Sequence, residues 1–147
     1  MALIQNKKFN LNFEAQETFE AGIELLGFEV KAVRSKLGSL DGSYVIIRGG
    51  EAFLVNAYIP PYQPANAPED YDPYRARRLL LHKKELIELV GAEQQKRLTI
   101  VPKAMYNSRG KIKVEIAIAQ GKKKFDKRED IKKRDTQRDV ERELSDL

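Results

Sequence analysis

Apolar and polar positions alternate most cleanly along KIKVEIAIAQ, residues 111–120. Ile112, Val114, Ile116 and Ile118 fall on one face, with Lys111, Lys113 and Glu115 on the other. That period of two predicts a half-buried antiparallel strand. The run LTIVPKAMY lies just upstream across NSRG, so the two predict a hairpin in which Pro102 confines the first strand to an edge or a bulge. A second hairpin is predicted where SYVIIR and EAFLVNAYI meet at Gly49–Gly50, since both central residues can take positive φ. Residues 13–26, FEAQETFEAGIELL, read as a strand through Thr18, Phe19, Ile23 and Leu25, bent at Gly22. From Leu26 the period changes. Val30, Val33 and Leu37 follow at spacings of four, three and four, one stripe of a short helix, FEVKAVRSKL, ended by Gly38. HKKELIELVGAEQQK predicts a second helix, with Leu86, Leu89 and Val90 as its buried face. Short strands, tight turns and two helices predict a mainly β protein with flanking helices, an antiparallel barrel of the oligonucleotide-binding kind over residues 1–121.

Two segments fall outside this pattern. Residues 60–78 hold five of the six prolines and three of the six tyrosines, and close on Arg75, Arg77 and Arg78. Proline excludes helix and central strand there, so a long exposed loop is expected, either a stiffened connector or a flap that contacts RNA. The second segment starts after Gly121. Eight of the fifteen residues from Gly121 to Asp135 are Lys or Arg, and Ile131 is the only aliphatic. A folded body therefore ends near Gly121 and a basic tail, 122–147, leaves it. The plainer reading of such a tail is a solvated charge run. Phe125, an aromatic among cations with no core to join, favours nucleic acid: cations for phosphates and a ring for a base.

Length and composition narrow the class. The chain has 147 residues, no cysteine and a net charge of +5, which suits one domain without disulfides or thiol chemistry. No apolar run is long enough for a signal peptide or a membrane span, so a soluble cytoplasmic protein is expected. Little in the sequence supports catalysis. His82 is the only histidine and stands three residues before Glu85 at a helix start, a capping or core position rather than a ligand. The glycine patterns of nucleotide-binding loops are absent. No cofactor, metal or enzymatic activity is expected. Glu29, flanked by Phe28 and Val30 at the border of the helical stripe, reads from the pattern alone as a surface carboxylate paired with a nearby cation.

Three blocks in fixed order, TFEAGIELLGFEVKAVR at 18–34, RLLLHKKEL at 78–86 and KVEIAIAQGKKKFDKREDIKKRD at 113–135, resemble the small protein B family, the SsrA-binding proteins that partner transfer-messenger RNA in bacteria. The resemblance implies a barrel that binds the tRNA-like domain of that RNA and helps alanyl-tRNA synthetase charge it. It implies delivery, with elongation factor Tu, to the empty decoding site of a stalled ribosome, where the tail fills the vacant messenger channel as a helix. It assigns RNA binding to Glu29, in the family's EVKS-type motif, to Gly22, Lys31 and Arg34 of the same block, and to Lys122, Lys123 and Lys124. Asp126, Lys127 and Arg128 would open the tail, followed by Ile131, Lys132, Lys133 and Arg134. Phe125 stands where the family has Tyr or His, so only stacking transfers to it. Ala32 and Val33 depart mildly from the motif, and Asn6, Lys7 and Lys8 only loosely follow the family's start.

Physical chemistry fits that role. Glu129 with Lys133, and Asp130 with Arg134, are spaced for helical pairs worth about 0.2–0.5 kcal/mol each. Backbone ordering opposes them at about 1–2 kcal/mol per residue. The free tail is therefore expected to be disordered and to become helical on binding, reaching about 33 Å over residues 126–147. A ribosomal or initiation-factor-like RNA-binding protein, and a nucleic-acid hydrolase with a borrowed metal, are the alternative readings.

Overall fold

The computed structural model describes residues 2–122. Its strands are β1 (Ala2–Gln5), β2 (Phe13–Ile23), β3 (Tyr44–Arg48), β4 (Glu51–Val55), β5 (Arg77–Leu80), β6 (Leu98–Ser108) and β7 (Lys111–Gly121). Three α-helices, α1 (Phe9–Asn12), α2 (Gly27–Arg34) and α3 (Lys83–Glu93), interrupt them. The proline-rich segment, expected to hold no helix, makes one short 3-10 turn, Pro64–Asn66, with proline at its first position where no N–H is needed. All strand pairs are antiparallel, in the order β1-β6-β7-β2-β5-β4-β3. β3, at one end of that order, lies alongside β6 near the other, so the sheet curls toward a barrel.

Both predicted hairpins form. Gly49 and Gly50 take φ of 59° and 76°, the paired positive values of a tight turn. The β6–β7 turn is tighter than NSRG suggested, because pairing runs on to Ser108↔Lys111 and only Arg109 and Gly110, at φ 52° and 78°, are left to turn. Pro102 does sit at a bulge, a register shift between Pro102 and Ala104, but β6 is not an edge, since β1 pairs with its other side. The irregularity in β2 falls between Ala15 and Glu17 rather than at Gly22.

The four apolar residues of 112–118 point inward as expected, and Ile112, Val114, Ile116 and Ile118 are all buried. They pack with Phe19, Ala21, Leu54, Leu79, Ile100 and Met105, with Val33 of α2 and Leu89 of α3 closing the core. Each large aliphatic buried there stabilises the fold by about 1.5–3 kcal/mol. The outer face of β7 is covered as well. Ala117 and Ala119 lie under Phe9 of α1, forming a second, smaller cluster with Val101 and Phe13.

The helices bury narrower faces than the stripes predicted. In α2 the buried residues are Glu29, Ala32 and Val33, while Leu26 caps the helix and Leu37 lies past its end, both exposed. In α3 Val90 lies on the exposed side and Ala92 takes its place inside. Glu93, the last residue of α3, reaches the outer edge of β3 and accepts the Ile47 N–H at 2.6 Å.

Candidate nucleic-acid interface

Glu29 is completely buried. At the third position of α2 its carboxylate turns back to accept the Leu26 N–H at 2.7 Å, the reach an N3 acid makes to close a first helical turn. Its remaining lone pairs meet Arg75, through both Nε (3.0 Å) and Nη2, Arg77 Nε at 2.9 Å and the Tyr71 hydroxyl at 2.7 Å. Arg77, also fully buried, spends its other protons on the carbonyls of Ala57, Pro73 and Arg75 and on the Tyr71 oxygen. Burial alone would raise the Glu29 carboxyl. The hydrogen bonds from Arg75, Leu26 and Tyr71, with the Arg77 charge, outweigh it and hold the pKa at about 2. Burial and the bond to Glu29 push the Tyr71 hydroxyl up to about 12, against the Arg77 charge.

This cluster corrects the surface reading. Glu29 and Arg77 offer no face to a partner, and Arg77 is the first residue of β5 rather than part of an exposed loop. Their work is to pin residues 71–77 against α2. Arg75 keeps about a third of its side chain exposed beside Glu29. Arg78 is exposed but committed to two carboxylates, Glu24 at 3.1 Å and Glu51 at 3.0 Å.

The outer face of the sheet carries Lys111 and Lys113 beside a glycine. Gly22 pairs with Leu80 of β5 on one side and with Lys113 of β7 on the other. With no side chain between those two, the row Leu80–Gly22–Lys113 opens into a notch of about 290 Å³. A Cβ on Gly22 would lie 3.2 Å from the Leu80 Cβ, so the glycine also permits the close strand approach. Leu80, Ile23, Leu25, Val30 and Ile112 make the apolar part of the notch, and its charged lining residues, Arg34, Lys111 and Lys113, are all cations. Arg34 Nη2 donates to the Gly110 carbonyl at 2.9 Å, tying α2 to the β6–β7 turn. Lys31 is exposed on another side of α2, beside a separate cleft with Phe28 and Tyr62. Apolar surface ringed by cations can receive the face of a base while the flanking phosphates are neutralised.

Lys122 ends the described chain. Its N–H donates to the Asn12 carbonyl at 2.9 Å and its Nζ to that of Asn10 at 2.8 Å, which holds the root of the tail to α1. Lys123, Lys124, Phe125, Asp126, Lys127, Arg128, Ile131, Lys132, Lys133 and Arg134 lie outside the described residues. His82 precedes α3 and its N–H donates to Glu85 at 3.0 Å. Among the described residues no group of three or more His, Cys, Asp or Glu could hold a metal, and no helix is long and apolar enough to cross a membrane.

Sequence reading missed Tyr71, Leu80, Lys111 and Lys113. For Leu80 and the two lysines the signal was present as strand alternation, whereas Tyr71 lies in the connection before β5, where alternation says nothing. Arg77 and Leu79 point inward, and Arg78 and Leu80 outward, along β5. The same alternation turns Lys111 and Lys113 to the outer face of β7.

Similarity to known proteins covers almost the whole chain. The sequence pattern of a family described as SmpB protein matches residues 3–146. An SsrA-binding protein of Persephonella marina is 50% identical over 92% of this chain and 88% of its own length. One of Thermosipho africanus is 52% identical over 92% and 91%. A solved structure described as "tmRNA-SmpB: a journey to the center of the bacterial ribosome" superposes with a TM-score of 0.69 at 41% identity, over 87% of this chain and 93% of the other.

Proposed function

The chain belongs to the SmpB protein family, and from that premise we propose that it binds transfer-messenger RNA and brings it to stalled ribosomes in trans-translation. The observation that carries this reading is the family match from residue 3 to residue 146, body and tail together. The chemistry needed is recognition without bond-making, and the notch between Leu80 and Lys113 suits it.

In this reading the RNA lies on the outer face of β2, β5 and β7. Arg34, Lys111 and Lys113 sit on phosphates, and an unpaired or end-stacked base covers Leu80 beside Gly22. Lys31 and the exposed edge of Arg75 offer further cations beside α2, and Lys122, at the far end of β7, begins the basic run that Lys123 and Lys124 continue in sequence. Glu29 and Arg77 act at one remove, by fixing α2 and the 71–77 segment so that these groups are already in place. The tail, residues 122–147, then enters the messenger channel, with Phe125 stacking at its mouth. Elongation factor Tu and alanyl-tRNA synthetase meet the protein through the bound RNA, in the cytoplasm.

The test is to recover the RNA that co-purifies with the tagged protein, and to compete it against duplex RNA of equal length. Enrichment of transfer-messenger RNA that the duplex fails to displace is the expected result. Equal displacement by any duplex would overturn this reading in favour of a general RNA binder.

A further inference from the structure

A second cleft opens beside α2 and shares no lining residue with the notch. Leu26, Phe28, Lys31 and Tyr62 surround about 400 Å³ there, with Gly27 and Gln63 completing the lining. Leu26 and Tyr62 are 45% and 44% exposed, large apolar side chains left facing solvent on either side of one opening. Phe28 is held in place. The Tyr71 ring meets it edge to face with centroids 4.7 Å apart, and the Tyr71 hydroxyl is fixed by Glu29 and by the Ile59 carbonyl, both at 2.7 Å. The buried cluster that pins residues 71–77 therefore also sets one wall of this cleft. Tyr62 stands between Pro61 and Pro64, whose fixed φ values limit the freedom of the backbone that presents its ring. At Gly27 nothing among the described residues lies within 4 Å of where a Cβ would sit, so the floor is open to a flat ligand.

We propose that this cleft receives one unpaired nucleotide of an RNA strand, its base against the Phe28 and Tyr62 rings and its phosphate on Lys31. Among the described residues lining the cleft Lys31 carries the only charge, which selects an anionic occupant. Two aromatic rings suit the flat face of a base, and such stacking tolerates any sequence. The cleft also continues the surface already described. Val30 and Arg34 of α2 line the notch, while Phe28 and Lys31 of the same helix line the cleft. A strand leaving the notch crosses only the width of one helix, about 10–12 Å, to reach it. That the strand belongs to transfer-messenger RNA rests on the function proposed above; the base-receiving chemistry of the cleft does not.

The chain contains no tryptophan, so Tyr62→Trp places a single emitter in the cleft. Tyr62 is exposed and lies outside both buried clusters, so the substitution should leave the fold intact, which circular dichroism verifies. A base stacked on the indole should quench its emission several-fold, with single-stranded oligoadenylate as with transfer-messenger RNA. An RNA duplex of equal length should not quench it. Lys31→Ala in the same background should weaken the oligoadenylate titration and lower its salt slope by about 0.7. In the otherwise unsubstituted chain, Tyr62→Ala should lower affinity for transfer-messenger RNA by about 5- to 150-fold, and Tyr62→Phe should keep it. Absence of quenching by oligoadenylate, quenching that the duplex reproduces or Lys31→Ala leaves unmoved, or full affinity in Tyr62→Ala overturns the proposal. Oligoadenylate quenching in a protein that does not bind transfer-messenger RNA supports the cleft and sinks the proposed function instead.

Discussion

Tyr71 and Glu29 are joined by a 2.7 Å hydrogen bond across forty-two residues of sequence, and the same hydroxyl oxygen accepts from Arg77 at 2.9 Å. The bond ties the proline-rich connection to the first turn of α2. Because Glu29 also takes both arginines, this one carboxylate decides whether a long segment has a fixed position.

Replacing Glu29 therefore acts on stability before it acts on binding. Glu29→Ala leaves Arg77 buried with no counter-charge and should destabilise the domain by about 3–5 kcal/mol. That is a large share of the roughly 5–15 kcal/mol that holds a typical domain together. Urea unfolding checks it. A midpoint within error of the unsubstituted protein would return Glu29 to the surface role that its sequence context suggested.

Acid sensitivity follows from the same group. The folded pKa of about 2 lies below the ordinary value of 4.5, so the folded state holds this proton less tightly than the unfolded chain does. The stabilisation is complete above about pH 4.5 and is lost as pH falls toward 2. Tyr71 behaves oppositely at the alkaline end. Its pKa is raised from 10 to about 12, so its contribution is present below pH 10 and is lost as pH rises through 12. Thermal melts from pH 7 down to 2 should show a steep fall that is shallower in Glu29→Gln.

On the outer face, cations and apolar surface should separate in their salt dependence. Lys111→Ala or Lys113→Ala should weaken RNA binding and lower the slope of log affinity against log salt by about 0.7–0.9. Leu80→Ser should weaken binding at an unchanged slope, because it removes base contact and no charge. Arg78→Ala, whose charge is already held by Glu24 and Glu51, should change the slope least. Filter binding across a salt series distinguishes the three, and equal slopes throughout would place the RNA on another face.

Removing residues 126–147 should leave the body folded, because β7, the last strand of the described residues, ends at Gly121. The truncated protein should melt like the full chain and keep its affinity for transfer-messenger RNA, yet fail to support peptide tagging on stalled ribosomes. Tagging at the full rate would reduce the tail to a solvated charge run.

The fold was largely legible because its cues are local. Alternation marked β7, Gly49–Gly50 marked a turn, and Pro102 marked a bulge. The interior of the candidate site was not, because its cause is long-range. Nothing near Glu29 in sequence announces two arginines more than forty residues away, and a glutamate at the border of a helical stripe reads as surface unless its partners are known. Lys113 looked like the solvent side of a strand. It became a candidate ligand only when the pairing placed it across Gly22 from Leu80.

The Glu93 carboxylate at the margin of β3 has a consequence for how the molecule behaves in a crowd. An unpaired strand edge offers its N–H groups to any other extended chain, which is how sheets recruit copies of themselves and grow into aggregates. Here the Ile47 N–H already has its acceptor, and a would-be partner strand would have to displace a charged group, itself bonded to Arg48 at 3.2 Å, to begin pairing. The last residue of α3 thus acts as a stopper on the sheet. Glu93→Ala should leave RNA affinity alone and shorten the time to turbidity at high protein concentration.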